Sequence, residues 1–357
     1  MELTVIRLPA DRPEDEARLD SVMEQALSGT EYREYKTPEE LADLKGRRLL
    51  FCLPLGKYGI NTAYLKLLAR LRSEPGLLEN CTSALIVDGD TELYTKSAAA
   101  ELALTLNQAG SALIGRPLVE ATGSLANFRV QARLAGTDLA GAYQIAAREL
   151  VDRLCGFSFA QRSEPEILVL HASNYRTSNT LQLWEEVRNR LNGHCGITEI
   201  GLRNGTVSDC SGCPFTACLH FGESGRCFYG GLMQEEVWPA VLCSDAVILL
   251  CPNYNDALSA NLTAFINRLT GLFRQTRFYD KALFAVIVSG YSGSDIVARQ
   301  VIAAMNMNKS FYLPAHFALM ETANDPGEAL ALPGIQERLD GFVERILSLQ
   351  NGSEDRP

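Results

Sequence analysis

Four cysteines stand close together in one short segment of the chain, with the spacing C-x2-C-x4-C-x8-C. They are Cys210, Cys213, Cys218 and Cys227. In a reducing compartment, clustered cysteines bind metals or take part in redox chemistry rather than forming disulfides. Four thiolates on one loop suit a 4Fe–4S cluster or a structural zinc site, in which His220 could replace one cysteine. The alternative is a loop that holds no metal.

A polar segment at residues 172–180 is the second candidate site. Its sequence, ASNYRTSNT, follows an apolar and β-favouring run at 167–171. A helical pattern begins near residue 178, so the segment joins a buried strand to the N-terminus of a helix. Free N–H groups, hydroxyls and the positive end of the helix dipole favour a phosphate there. The alternative is an ordinary turn in which Thr177 or Ser178 caps the helix.

Charge and hydropathy argue against several functional classes. The chain of 357 residues carries a formal net charge of −10, which disfavours a nucleic-acid surface. No apolar run approaches the roughly 20 residues that span a membrane. The first residues, MELTVIRLPADRPEDE, are too acidic for a signal peptide. The sequence therefore predicts a cytoplasmic protein without nucleic-acid or membrane partners.

Strand-like and helix-like segments alternate along the chain, which predicts an α/β fold with doubly wound parallel sheets. Length predicts two domains, which we place at 1–156 and 165–350. The predicted strands lie at 2–7, 48–53, 83–88 and 111–115 in the first half, and at 167–171, 197–201, 246–251, 282–288 and 311–317 in the second. In open α/β sheets, ligands bind beyond the carboxyl ends of the strands, so the loops after these strands are the expected site.

The two halves also align with each other. When Pro54 is set on Pro252, Arg70 falls on Arg268 without a gap, and the order of strands and helices is shared. This pattern indicates a duplication. However, the loop at 9–16 of the first half reads PADRPEDE, whose prolines lack donors and whose carboxylates repel a phosphate. We therefore expect a degenerate first domain.

The segment PNYNDALSANLTAFINRL at 252–269 resembles the P-x-Y…S…K-x-F-x-D-R segment of flavodoxin-like NAD(P)H-dependent FMN reductases. The matching residues are Pro252, Tyr254, Ser259, Phe265 and Arg268, while Thr263 and Asn267 replace the usual lysine and aspartate. The loop at 172–180 resembles the G-S-x-R-x-x-[GS]-N-T phosphate loop of the same family. Here Ser173, Ser178, Asn179 and Thr180 match, Ala172 replaces glycine, and the arginine falls one place late, at Arg176.

This resemblance covers about residues 165–350 and implies two tandem flavodoxin-like sheets of five strands each, in the order 2-1-3-4-5. It implies FMN, with its phosphate at Ser173, Arg176, Ser178, Asn179 and Thr180. The isoalloxazine ring would lie against Pro252, Asn253, Tyr254 and Asn255, near the third loop at Ser289 and Gly290. The subunits of such reductases commonly pair, so the first domain is expected to act as a built-in partner in an internal pseudo-dimer, and the chain could also form a homo-oligomer.

The implied function is an FMN-dependent oxidoreductase that passes electrons from NAD(P)H to a quinone, a flavin, a nitro or azo compound, or a protein acceptor. The four-cysteine loop resembles, in its position, the cluster motif of iron–sulfur flavoproteins, although its last two intervals are longer. One alternative is therefore an electron-transfer protein that carries a flavin and an iron–sulfur cluster. The other alternative is a non-catalytic flavodoxin-like regulatory module.

Overall fold

The computed structural model describes residues 2–173 and 177–350. The chain divides into two compact units, Met1–Ser158 and Phe159–Pro357. Each unit contains one five-stranded, wholly parallel sheet with helices between successive strands. Among the described helices, none is long and apolar enough to cross a membrane.

The first domain is built around a sheet in the order β2-β1-β3-β4-β5. Its strands are β1 (Leu3–Arg7), β2 (Tyr32–Tyr35), β3 (Arg48–Leu55), β4 (Cys81–Gly89) and β5 (Ser111–Ala121). Its α-helices are α1 (Ala17–Ala26), α2 (Thr62–Ser73), α3 (Thr95–Gln108), α4 (Arg129–Ala135) and α5 (Leu139–Cys155). Short 3₁₀ helices lie at Pro13–Asp15, Pro38–Glu40 and Ala126–Phe128. The central strands are apolar on both faces because helices cover both sides of the sheet.

The second domain repeats this plan, with its sheet in the order β7-β6-β8-β9-β10. Its strands are β6 (Glu166–His171), β7 (Gly196–Gly201), β8 (Ala246–Pro252), β9 (Ala282–Ser289) and β10 (Ala318–Thr322). Its α-helices are α6 (Asn179–Leu191), α7 (Phe215–Glu223), α8 (Trp238–Cys243), α9 (Ala260–Phe273), α10 (Ser294–Val301) and α11 (Ile335–Leu347). A π-helix at Met233–Val237 leads into α8, another at Ile302–Met307 extends α10, and a 3₁₀ helix lies at Glu328–Ala331.

Both strand orders correspond to the predicted 2-1-3-4-5, so the expected pair of flavodoxin-like sheets is confirmed. The last strand was placed wrongly, because the predicted segment 311–317 makes only an isolated bridge between Tyr312 and Ala282. Pro314 lacks an N–H group for a ladder, and His316 has a φ of 51°, so β10 begins later, at Ala318. Strand β5 continues through Pro117 because it is an edge strand.

Candidate functional site

Helix α6 begins directly after the predicted phosphate loop. Its first backbone bond runs from the Gln182 N–H to the Ser178 carbonyl at 3.0 Å. The three preceding N–H groups therefore have no partner inside the helix. Ser178 is the N-cap residue, yet its hydroxyl makes no capping bond. Of the predicted phosphate residues, Ser173 is half-buried and Thr180 is buried, whereas Arg176 lies outside the described residues.

Other helices of the chain show what an occupied cap looks like. The Ser259 hydroxyl accepts a hydrogen bond from the Leu262 N–H at 3.4 Å at the start of α9. The Asp138 carboxylate accepts one from the Gly141 N–H at 2.7 Å at the start of α5. By contrast, the Ser178 hydroxyl at the start of α6 makes no capping bond with the described residues, and the helix dipole favours an anion at such a helix start.

The Asn179 side chain is used inside the protein. Its Nδ2 donates to the carbonyls of Ala323 and Asp325 at 3.3 Å and 2.9 Å, and its Oδ1 accepts from the N–H groups of Gly327 and Ala329 at 3.0 Å and 3.3 Å. These four contacts fix the loop that follows β10 to the start of α6. Only the backbone N–H of Asn179 is thus left for the predicted phosphate contact.

The loop after β8 is a tight turn that displays an aromatic ring. Tyr254 and Ala257 exchange two backbone hydrogen bonds of 3.2 Å. Between them, Asn255 and Asp256 have φ values of 53° and 57°, the two positive angles of a type I′ turn. Asparagine and aspartate tolerate this left-handed conformation better than most residues. The turn leaves the Tyr254 side chain 57% exposed, so its ring is free to pack against a planar ligand.

Asn253 joins the loop after β8 to the loop after β9. Its backbone N–H donates to the Val288 carbonyl at 2.8 Å. Its Nδ2 donates to Asp256 Oδ1, Ser289 Oγ and the Ser292 carbonyl at 3.3, 3.0 and 3.1 Å. Its Oδ1 is buried and has no partner among the described residues. The predicted residue Asn253 thus holds two loops of the candidate site in one fixed arrangement.

Gly293 provides the space for this arrangement. A Cβ atom at Gly293, whose φ is 92°, would lie 2.2 Å from Asp256 Oδ1 and 2.8 Å from Asn253 Nδ2. The close approach and the positive φ both require glycine. Next to it, Ser294 donates a hydrogen bond to the buried Ser289 hydroxyl at 2.8 Å. The predicted third loop is therefore held by its own short contacts.

Tyr291 lies in the predicted third loop, between Gly290 and Gly293, and is 82% exposed. Because β8 and β9 are paired neighbours, the loops carrying Tyr254 and Tyr291 leave the same edge of the sheet.

His171, the last residue of β6, is held between two oxygen atoms. Its Nδ1 lies 3.2 Å from the Ser173 carbonyl oxygen, and its Nε2 lies 3.5 Å from Glu199 Oε1 on β7. The other carboxylate oxygen of Glu199 accepts from the buried Trp184 Nε1 at 2.9 Å and lies 3.6 Å from Arg188. The His171 hydrogen bond, together with Trp184 and Arg188, lowers the pKa of Glu199, although burial acts in the opposite direction.

The four cysteines of the C-x2-C-x4-C-x8-C segment line one cavity of about 350 Å³. Helix α9 forms a wall of this cavity through Asn267, Arg268, Thr270 and Gly271. In the described part of the chain, no three His, Cys, Asp or Glu side chains are grouped closely enough to hold a single metal ion. His220 lies in α7, outside the residues that line the cavity. The structure thus brings the four cysteines to one cavity without a compact single-metal site.

Arg268 fixes both ends of the cysteine segment to α9. This side chain is only 4% exposed, and its two terminal nitrogens donate to the carbonyls of Ser208 at 3.4 Å and Gly230 at 2.7 Å. Nearby, Asn267 donates to Asp209 Oδ1 at 3.0 Å. One buried guanidinium therefore closes the loop that carries all four thiols.

In the first domain, the loop at 9–16 corresponds to the predicted phosphate loop, and carboxylates of this loop accept backbone hydrogen bonds. Glu16 Oε1 accepts a hydrogen bond from the Ala10 N–H at 2.6 Å. Both oxygens of Asp11 lie 3.2 Å from the Thr62 N–H at the start of α2. The Glu16 carboxylate thus takes a backbone donor of the loop that corresponds to the phosphate loop, and the Asp11 carboxylate takes one at the start of α2.

An ion pair lies at the carboxyl end of β4 in the first domain. Arg18 donates to Asp88 Oδ1 at 2.7 Å and also to the carbonyls of Gly89 at 2.8 Å and Gly123 at 3.0 Å. Burial raises the pKa of the Asp88 carboxyl, although the Arg18 guanidinium acts in the opposite direction. The carboxyl end of β4 is therefore occupied by protein groups.

Residues 165–325 match the family model described as NADPH-dependent FMN reductase. The matched range lies within the second domain and includes the three loops after β6, β8 and β9 and the cysteine segment between them. The match confirms the predicted resemblance of the second domain to NAD(P)H-dependent FMN reductases. No curated protein matches the chain.

Several solved structures are similar to part of the chain. The NAD(P)H:quinone oxidoreductase from Methanothermobacter marburgensis is 14% identical, with 52% of this chain and 100% of that chain covered and a TM-score of 0.40. An azoreductase from Bacillus anthracis str. Sterne is 12% identical, with 52% and 98% covered and a TM-score of 0.38. RosB, solved with a bound formylriboflavin phosphate intermediate, is 12% identical, with 52% and 78% covered and a TM-score of 0.40.

Proposed function

We propose that the second domain binds one FMN at the carboxyl edge of its sheet and passes electrons from NAD(P)H to a small-molecule acceptor. Quinones, flavins, and nitro or azo compounds are the proposed acceptor classes. The observation that carries the proposal is the uncapped start of α6, which lies within the family match.

The described residues fit FMN in two ways. Ser178 and the free N–H groups at the start of α6 would hold the phosphate, because the helix end provides donors and a positive potential. The turn after β8 would support the flat ring system at Pro252 and Tyr254, in a position that Asn253 fixes. Bound FMN supplies the hydride and electron transfer chemistry, while the protein supplies binding and orientation.

Binding of FMN tests this proposal directly. The full chain should quench FMN fluorescence on titration, with one FMN per chain, and Ser178→Glu should abolish the effect by placing a carboxylate where the phosphate binds. Ser163→Glu is the matched control, because Ser163 is exposed and lies before β6, at the opposite edge of the sheet. Equal affinity in the two variants would contradict the phosphate site.

A second candidate function, electron transfer through an iron–sulfur cluster and a flavin, is favoured by the shared cavity of the four cysteines. The donor set suits a cluster, because four thiolates bind iron in 4Fe–4S sites. Cys210, Cys213, Cys218 and Cys227 would hold it, and Arg268 would keep their loop closed. A protein acceptor for the electrons belongs to this second candidate.

Metal analysis of anaerobically prepared protein separates the two candidates. Iron and acid-labile sulfide that disappear in Cys213→Ser, and persist in Cys243→Ser, would support the cluster. Cys243 is a suitable control because it is exposed and lies outside the cysteine segment. One equivalent of zinc, or neither iron nor sulfide, would reject the cluster and leave the FMN proposal unchanged.

We also infer that the first domain binds no FMN. The Glu16 carboxylate takes the Ala10 N–H of the corresponding loop, Asp11 adds a negative charge there, and the Arg18–Asp88 pair fills the end of β4. Titration to two FMN per chain would refute this inference.

A further inference from the structure

The cavity beside the cysteine segment has a wall of aromatic rings, formed by Phe221, Phe228 and Tyr229. The ring centroids of Phe221 and Phe228 are 5.8 Å apart, and those of Phe228 and Tyr229 are 5.2 Å apart. Phe228 is nevertheless 67% exposed. Large apolar side chains grouped at a concave surface mark ligand-binding sites.

A buried cation lines the same cavity. Arg268 is only 4% exposed, and it forms no ion pair with a carboxylate among the described residues. Its terminal nitrogens donate to two carbonyl oxygens, whereas its Nε–H is buried and has no partner in the described part of the chain. A buried charge is costly unless an opposite charge compensates it. Arg268 therefore favours an anionic ligand.

Two further cations lie around the cavity. Arg226 lines it and is exposed, and Lys309 donates from Nζ at 2.8 Å to the hydroxyl of Thr270, another lining residue. The nearby carboxylate of Asp209 accepts from Asn267 Nδ2 at 3.0 Å and pairs with none of these cations. Although the chain as a whole carries a net charge of −10, this cavity is locally cationic.

The size and the lining of the cavity together define the class of ligand. Its volume of about 350 Å³ falls within the range of small-molecule sites. Aromatic walls favour a flat apolar body, and an uncompensated guanidinium favours a carboxylate. The cysteines of the described chain form no compact single-metal site that would supply the negative charge instead.

We propose that this cavity binds a small aromatic carboxylate. The ring of the ligand packs against Phe221 and Phe228, and its carboxylate lies near Arg226 and Arg268. None of the residues that line the cavity belongs to the predicted FMN contacts, so this site is additional to the proposed flavin site.

The test is calorimetric titration of the full chain, prepared anaerobically, with salicylate and with its neutral analogue salicylamide. Salicylate should bind about tenfold more tightly, the effect of one charge-assisted contact. Arg268→Gln should remove this preference and keep the affinity for salicylamide. Arg226→Gln changes an exposed residue and should reduce the preference without affecting the fold. Arg277→Gln, exposed and outside the cavity, is its matched control.

The aromatic wall has a test of its own. Phe228→Ala should weaken both compounds about fivefold, whereas Phe215→Ala, which removes an exposed ring outside the cavity lining, should weaken neither. Equal affinity for salicylate and salicylamide, no binding of salicylate, or unchanged affinity in Phe228→Ala would overturn the inference. Iron and sulfide that fill the cavity and exclude salicylate would also overturn it. None of these results changes the expected FMN titration.

Discussion

Gly293→Ala tests whether the packing of the two loops determines flavin affinity. The new methyl group would lie 2.2 Å from Asp256 Oδ1 and 2.8 Å from Asn253 Nδ2, so both side chains must shift. Two of the Asn253 hydrogen bonds, to Asp256 and to the Ser292 carbonyl, would be lost. At about 1 kcal/mol for each, the loss is about 2 kcal/mol, which corresponds to about 30-fold weaker FMN binding.

Gly193→Ala is the matched control, because its φ of 82° is close to the 92° of Gly293 and a Cβ atom there meets nothing within 4 Å. Each substitution places alanine in the left-handed region at a cost of about 1–2 kcal/mol. For a domain of this size, this cost lowers Tm by about 2–8 °C. Calorimetry should show a loss of stability in both variants, larger in Gly293→Ala because that variant also loses the Asn253 contacts, while fluorescence titration should show weaker FMN binding only in Gly293→Ala. Equal FMN affinity in the two variants would refute the reasoning.

Three further predictions concern other contacts. Asn179→Ala removes the four hydrogen bonds that hold the loop at 323–329, so hydrogen exchange of that loop should accelerate, and unchanged exchange would contradict the clamp. Arg268→Leu should expose the cysteine segment to proteolysis at lower protease concentrations than the exposed-surface control Arg129→Leu, and equal digestion would exclude the role of Arg268 as the closing contact. The partners of Glu199 lower the pKa of its carboxyl below the ordinary 4.5. The ionised carboxylate therefore stabilises the fold fully above pH 4.5, and this contribution is lost as pH falls through the lowered value. Glu199→Gln should therefore flatten the acid limb of the stability profile, and an unaltered limb would contradict this prediction.

The sequence predicts the buried strands and the loops at their carboxyl ends because both have strong local signals. Apolar runs such as 246–251 and 282–288 fold into strands buried on both faces, and the loops that follow them are rich in turn-forming residues. Strand β2 has the polar sequence YREY, which gives no such signal at an exposed edge. The displaced β10 shows how a proline in an apolar run shifts a strand along the chain.

Contacts between residues that are distant in the chain could not be predicted from the sequence. The pairing of His171 with Glu199 depends on the register of β6 against β7, in which Val169 is opposite Glu199. The use of the Asn179 side chain as a clamp depends on the path of the loop after β10, which no local pattern encodes. Arg268 was visible as a matching motif residue, but its contacts with Ser208 and Gly230 appear only when the cysteine segment folds back on α9.

The clamp at Asn179 also sets the order in which the second domain can become competent for its ligand. The side chain that fixes the start of α6 finds its partners at residues 323–329, almost 150 positions later in the chain. During synthesis, β6 and α6 leave the ribosome long before these partners exist. A nascent chain that ends before β10 therefore has the residues of the phosphate loop but lacks the contacts that hold the helix start in place. If the proposed FMN site is correct, binding of FMN therefore requires that β10 and the loop after it have already folded.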